Sequence, residues 1–170
     1  EERVQHIRQL ASDGWRVSSG FIAGLPDQPA SELLENLALA SSLPLVGCSV
    51  SPFIPGGQTP LRDAACADVN GALNCMAAMR VMRPDWVIPA VSALYLAAED
   101  GYRRGLRAGA NLVTMNLTPP EVRGAYVIYK QDRFIMTEAR ILAAIESEGL
   151  APSKLGLVRH LNAAMPHCAC

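Results

Sequence analysis

Aromatic side chains are scarce in this 170-residue chain: three Phe, four Tyr and two Trp, 5% in all. Charge of one sign is missing as well, because 15 Lys and Arg nearly cancel 16 Asp and Glu for a net charge of −1. Nucleic acids and anionic membrane surfaces both draw on grouped Lys and Arg, and here the basic residues are scattered, so neither is an expected partner. No apolar run reaches the ~18 residues that a spanning helix requires, and no basic-then-apolar leader opens the chain. The five cysteines, Cys48, Cys66, Cys75, Cys168 and Cys170, include no Cys-x-x-Cys pair. A chain with that cysteine usage and no leader is expected to be reduced and cytoplasmic.

What is present is an apolar half: 50% of the residues are hydrophobic. That balance, at a length that fits one domain, describes a globular α/β protein with a sizeable core. Helical and strand periods alternate along the chain. A helix is expected over residues 2–12, with Val4, Ile7, Leu10 and Ala11 on one face and Asp13-Gly14 ending it. A strand over 17–23 leads through the turn Gly24-Leu25-Pro26-Asp27 into a helix to about residue 43, striped by Leu33, Leu34, Leu37 and Ala40 or Ser41. A strand over 45–50 opens a Gly/Pro loop over 51–67. Asp68 is placed to cap a third helix buried along Val69, Leu73, Met76 and Met79 or Arg80, and Pro84 stops it. Strands follow over 86–91 and 112–115, with a short helix over 100–108 between them. Thr137 is placed to cap a helix running to Gly149, and Pro152-Ser153 precedes a last one near 155–161. Parallel strands joined by helical crossovers are the implied architecture, and function is expected in the loops at the carboxyl ends of the strands.

Three stretches stand at such ends. In Gly20-Phe21-Ile22-Ala23-Gly24-Leu25-Pro26 two glycines let a ligand or another backbone approach the strand. Spacing alone favours a strand tightly covered by a helix. The stretch is no dinucleotide fingerprint, since Leu25-Pro26 stands where a glycine would open a helix. From Ser49 to Leu61, three prolines and two glycines make a rigid loop that leaves backbone groups free beside Phe53 and Ile54, a composition suited to a flat heteroaromatic such as adenine. A well-packed crossover loop fits it equally. From Gly109 to Glu121, Asn116 sits at a strand end, and Thr118-Pro119-Pro120-Glu121 matches a capping box that needs no further role.

Together these stretches resemble one family, the radical S-adenosylmethionine enzymes of the biotin synthase, [FeFe]-hydrogenase maturase and methylornithine synthase group. Gly20-x-Ile22-x-Gly24 is similar to its Gly-x-Ile-x-Gly strand. Pro52-Phe53-Ile54-Pro55 with Thr59-Pro60-Leu61 resembles the loop after its sixth strand. Ile88-Pro89-Ala90-Val91-Ser92-Ala93-Leu94 and Gly109-Ala110-Asn111 with Asn116-Leu117-Thr118-Pro119 resemble its seventh and eighth strands. Each motif is common alone; the order of all four is specific.

The resemblance implies a partial TIM-type (βα)8 barrel, strands five to eight, over 1–131, with a carboxyl-terminal helical extension over 132–170. It implies adenosine contacts from Gly20, Ile22, Gly24, Ser51, Pro52, Phe53 and Ile54, and a chamber for a small-molecule substrate lined by Ser92, Ala93, Thr114 and Asn116. The implied reaction is cleavage of S-adenosylmethionine to a 5′-deoxyadenosyl radical that abstracts hydrogen from the substrate. The family's [4Fe–4S] cluster is held by a Cys-x-x-x-Cys-x-x-Cys loop that this sequence lacks, so no catalytic residue and no metal ligand is expected in this chain, and a missing amino-terminal half-barrel is the expected partner. Residues 86–94 also hold no Arg, with Ile88 where biotin synthase places an Arg cluster ligand, which points away from biotin synthesis itself. A non-catalytic half-barrel that binds a nucleoside-type ligand, or pairs with another half-barrel, is the alternative. His167-Cys168-Ala169-Cys170 has no standard zinc spacing and reads as a tail; His6 and His160 read as helix-surface residues.

Overall fold

A computed structural model of the chain describes residues 1–115, 117–119, 121–122 and 137–163. After helix α1 (Glu2–Ser12), strand β1 (Ser18–Ala23) runs parallel to β2 (Gly47–Pro52), with Ser18 opposite Gly47 and Ala23 opposite Pro52. Helix α2 (Ala30–Ser42) makes that crossover. Helix α3 (Val69–Met82) leads to β3 (Pro89–Ala90), and α4 (Ser92–Ala97) and α5 (Gly101–Arg107) lead to β4 (Leu112–Val113), which is parallel to β3. A parallel bridge between Gly47 and Val87 joins the two pairs. There the Cys48 N–H donates to the Val87 carbonyl at 3.1 Å and the Val87 N–H to that of Val46 at 3.0 Å. The strands therefore lie side by side in chain order, and among the described residues no pairing closes β4 onto β1.

Local chemistry accounts for most of these elements. The Asp68 carboxylate caps α3 by accepting from the Asn70 N–H at 3.0 Å, and that bond leads the causes holding its pKa below the ordinary carboxylate value. Val69, Leu73, Met76 and Met79 form the expected buried stripe, joined by Ala72 and Cys75. The helix ends at Met82, two residues before Pro84, where proline disfavours the α conformation of its predecessor. In α2 the stripe is narrower than its sequence suggests. Leu37 and Ala40 are buried and Leu33 half-buried, but Leu34 is 67% exposed. Residues 33, 37 and 40 share one face, and 34 lies a further 100° round the helix. Leu10 of α1 is likewise exposed.

The third strand differs from its expected span over 86–91. Pro89 has no N–H to donate, and the Asn111 side chain takes over the ladder's role nearby. Its Oδ1 accepts from the Ile88 N–H at 2.8 Å, and its Nδ2 donates to the Trp86 carbonyl at 3.2 Å. Trp86, 1% exposed, anchors this approach by donating its Nε1–H to the Leu45 carbonyl at 2.9 Å. Arg80 secures the far side, donating to the carbonyls of Gly109, Pro84 and Trp86 at 2.9, 2.8 and 3.0 Å. Between the strand expected over 86–91 and the helix expected over 100–108 stands the helix α4, whose Ala93 and Leu94 belong to the core.

Two further helices follow. Thr137 caps α6 (Glu138–Ser147), accepting from the Arg140 N–H at 3.4 Å. Glu148, just beyond it, accepts from Arg103 Nε at 2.7 Å and from Arg107, fastening α6 to α5. Helix α7 (Leu157–Ala163) lies at the amino-terminal ends of β1 and β2. There Arg16 donates to the Leu161 carbonyl at 3.1 Å and to Asn162 Oδ1 at 2.8 Å. Leu157 and Leu161 cover a cavity of about 280 Å³ whose other walls include Gly47, Val87 and Leu112. Among the described residues no helix is long and apolar enough to cross a membrane.

Candidate functional site

Alternation along β1 and β2 creates two unlike faces. Ala23, Cys48 and Val50 are at most 1% exposed and belong to the helix-covered core. On the opposite face the register sets Gly20 beside Ser49 and Ile22 beside Ser51, and Ile22 is 45% exposed. Small polar side chains with one aliphatic group thus form an open surface at the carboxyl end of the pair.

The chain leaving these strands is stitched together by backbone. The Phe53 N–H donates to the Ala23 carbonyl and the Ala67 N–H to the Phe53 carbonyl, both at 2.9 Å. Gly24 sits in this seam at φ +84°, and a Cβ built on it would stand 2.5 Å from the Ala67 Cβ. Both the left-handed backbone and the lack of space call for glycine there. At Gly20 a Cβ would lie 2.1 Å from Ser49 Oγ and 2.7 Å from the Ser49 carbonyl oxygen. The two glycines therefore admit this chain's own backbone, and Ile22 is the member of the motif that faces open space. Among the loop residues Pro52 and Phe53 are buried, while Ser51 and Ile54 are half-buried, with the Ser51 hydroxyl donating to the Pro52 carbonyl at 3.3 Å.

Sequence reasoning passed over Gln28. Its side-chain Oε1 accepts from the Gly24 and Leu25 N–H groups at 2.8 and 3.3 Å, and its Nε2 donates to the Ile22 carbonyl at 3.3 Å and to Glu32 Oε1 at 2.9 Å. The available signal was spacing: Gln28 lies four residues after Gly24 and four before Glu32 of α2.

The expected chamber residues are spread over the later strands. Ser92 is exposed at the start of α4, and Thr114 is exposed just after β4. Ala93 is buried at 2%, so its methyl packs inward. Asn116 lies outside the described residues. Burial pushes the Tyr102 phenol up, and Thr114 offsets part of that.

Desolvation pushes the Cys48 thiol up to about 11 and raises Cys75 as well, so both are inert apolar packing. Among the described residues no group of three or more His, Cys, Asp or Glu side chains could hold a metal ion; Cys168 and Cys170 lie outside them. The open surface offers apolar contact, a hydroxyl and backbone edges, which suits binding rather than bond-breaking by this chain's own groups.

No family model matches the chain. It is 31% identical over 129 residues to the [FeFe] hydrogenase maturase subunit HydE of Thermotoga maritima, covering 76% of this chain and 37% of that protein. To the 3-methylornithine synthase of Methanosarcina barkeri it is 29% identical over 130 residues, 76% of this chain and 36% of the other. To the biotin synthase of a Picosynechococcus species it is 30% identical over 129 residues, 71% and 34% respectively. The chain thus spans about a third of the length of these curated relatives, matching their carboxyl-terminal part. The motifs on β1, on the loop after β2 and around β3 and β4 are explained by this common descent: the chain is a relative of the biotin synthase, hydrogenase maturase and methylornithine synthase group of radical S-adenosylmethionine enzymes.

Proposed function

We propose that this chain acts as the carboxyl-terminal part of a radical S-adenosylmethionine enzyme, holding the adenosine end of that cofactor and one wall of a small-molecule substrate chamber. The observation that carries the reading is the side-by-side placement of Ile22 and Ser51 on the open face of β1 and β2, at the strand ends where α/β proteins gather their ligands. An exposed aliphatic side chain beside a hydroxyl, with Ile54 following, fits the flat apolar face and polar edge of a purine. Gly20 and Gly24 fix the backbone beneath, and Pro52 and Phe53 fix the loop; Ser92, Thr114 and Asn116 are assigned to the substrate wall, with Ala93 packed behind it.

The cofactor, once bound to a [4Fe–4S] cluster, supplies the radical that abstracts hydrogen; this chain positions it and excludes water. The cluster does not fit here, because the three-cysteine loop is absent from the sequence and no metal-ligand cluster stands among the described residues. In this reading the four parallel strands are half of a TIM-type barrel, an amino-terminal half-barrel pairs with their free edges, and the assembly works in the reducing cytoplasm.

The test begins with the coding DNA upstream of Glu1. An in-frame Cys-x-x-x-Cys-x-x-Cys is expected about one half-barrel earlier. The reconstituted longer protein should form 5′-deoxyadenosine from S-adenosylmethionine and dithionite, and the 170-residue chain alone should form none. A stop codon and ribosome site directly before Glu1, or a longer protein with the cluster in place that yields no 5′-deoxyadenosine, overturns the proposal.

A further inference from the structure

The loop that leaves β1 turns through two left-handed residues within four, Gly24 at φ +84° and Asp27 at φ +61°. Its backbone closes one turn, with the Gln28 N–H donating to the Leu25 carbonyl at 3.1 Å. The Gln28 side chain ties that turn to its neighbours. Gln28 uses its amide completely: Oε1 accepts twice, from Gly24 and Leu25, and Nε2 donates twice, to Ile22 and Glu32. A primary amide offers two acceptor sites and two donors, so none is left over. The orientation is also fixed, because a flipped amide would set its NH₂ against two backbone N–H groups. The network joins the last turn of β1 to the first turn of α2 through Glu32.

It also bears on what Ile22 can offer a ligand. The Ile22 carbonyl already accepts one bond from Gln28, and the Ile22 side chain is 45% exposed on the open face. A ligand that needs that side chain in place gains affinity when the loop is already ordered, since it then avoids the entropy of ordering it.

We propose that Gln28 is a positioning residue, one that touches no ligand but holds the exit of β1 so that the Ile22 side chain is presented in place to S-adenosylmethionine. This rests on the reading of the open face given above. The experiment compares wild type, Gln28→Ala, Gln28→Met and the exchange Gln28→Glu with Glu32→Gln, in the longer, cluster-reconstituted protein. S-adenosylmethionine affinity is measured by calorimetry, and turnover at saturating S-adenosylmethionine beside it. Gln28→Ala and the near-isosteric Gln28→Met should bind about tenfold more weakly, with kcat within about twofold of wild type, because the loss lies in pre-organisation rather than in contacts to the reacting atoms. The exchange variant keeps both acceptor bonds to Gly24 and Leu25 and restores the 28–32 pair with its donor reversed, but its carboxylate cannot donate to the Ile22 carbonyl and faces it instead, so it should bind as weakly as Gln28→Ala. A wild-type protein that does not bind S-adenosylmethionine overturns the reading of the open face, and this inference with it. Wild-type binding that Gln28→Ala and Gln28→Met leave unchanged overturns the inference alone, as does an exchange variant that binds like wild type.

Discussion

Gly47 is where the two strand pairs meet, and replacing it with alanine tests whether that junction holds the fold together. A Cβ at this position would stand 2.4 Å from the Val87 carbonyl oxygen and 3.2 Å from the Val87 Cβ. Contact with a backbone oxygen cannot be relieved by a rotamer change, so the strands must part. The bonds at risk are the two flanking ones, Cys48 N–H to Val87 O and Val87 N–H to Val46 O. At about 1 kcal/mol net for each, their loss costs roughly 2 kcal/mol. For a chain of this size that lowers Tm by about 4–8 °C. Reversible urea and thermal unfolding, followed by circular dichroism, give the number. Gly71→Ala in α3 is the control: nothing lies within 4 Å of its Cβ position, and the better helix former should raise stability by about 0.5–1 kcal/mol. Should Gly47→Ala unfold within about 0.5 kcal/mol of wild type while the control behaves as stated, the bridge does not bind the two pairs and the reasoning fails.

Three other outcomes are expected. Trp86→Phe removes the shorter of the two side-chain bonds that the Leu45 carbonyl accepts among the described residues, 2.9 Å against 3.5 Å from Arg83, and should cost about 1–2 kcal/mol in urea unfolding, whereas Trp15→Phe, at a position 68% exposed, should be near neutral. Hydrogen bonds from Arg107 and then Arg103 hold Glu148 below its ordinary pKa of 4.5. A depressed folded value means that the stabilisation is complete above pH 4.5 and fades as pH falls through the folded pKa. Protection of the α6 amides, relative to their intrinsic exchange rates, should therefore fall on acidification in wild type, and already be low at neutral pH in Glu148→Ala; equal protection in the two proteins at pH 7 would refute the link. Asp27→Gly relieves a non-glycine residue at φ +61° and should raise the urea midpoint, by about 0.5–1 kcal/mol in stability; a lower midpoint would mean that the Asp side chain contributes to the turn.

Much of this fold can be read along the chain wherever the cause is local. Asp68 capping α3, Thr137 capping α6, Pro84 stopping a helix and the Val69–Leu73–Met76–Met79 stripe depend on residues within a few positions of one another. Features that depend on distant neighbours were hidden. Nothing in Ser92-Ala93-Leu94-Tyr95-Leu96-Ala97 marks a helix, since six residues give less than two turns of period. The short β3 follows from Asn111, which sits 23 residues beyond the Ile88 N–H it receives. The same division runs through the candidate site. The Gly-x-Ile-x-Gly stretch was legible as a motif, but that its glycines accommodate Ser49 and Ala67 while Ile22 faces outward depends on strand register, which sequence does not display. Gln28 was hidden because a glutamine in a turn has no periodic signature, and its role exists only once Gly24 and Glu32 are within reach.

Placing α7 at the foot of the strands has a consequence for timing as well as for shape. Its latch joins Arg16 to Leu161 across 145 residues of sequence, so it can form only after both stretches and everything between them have been made. Until those residues have left the ribosome, the first helix–strand junction stays unlatched, however early its neighbours have formed. Once made, the latch passes any pull on α7 directly to the junction before β1, so the two stretches yield together.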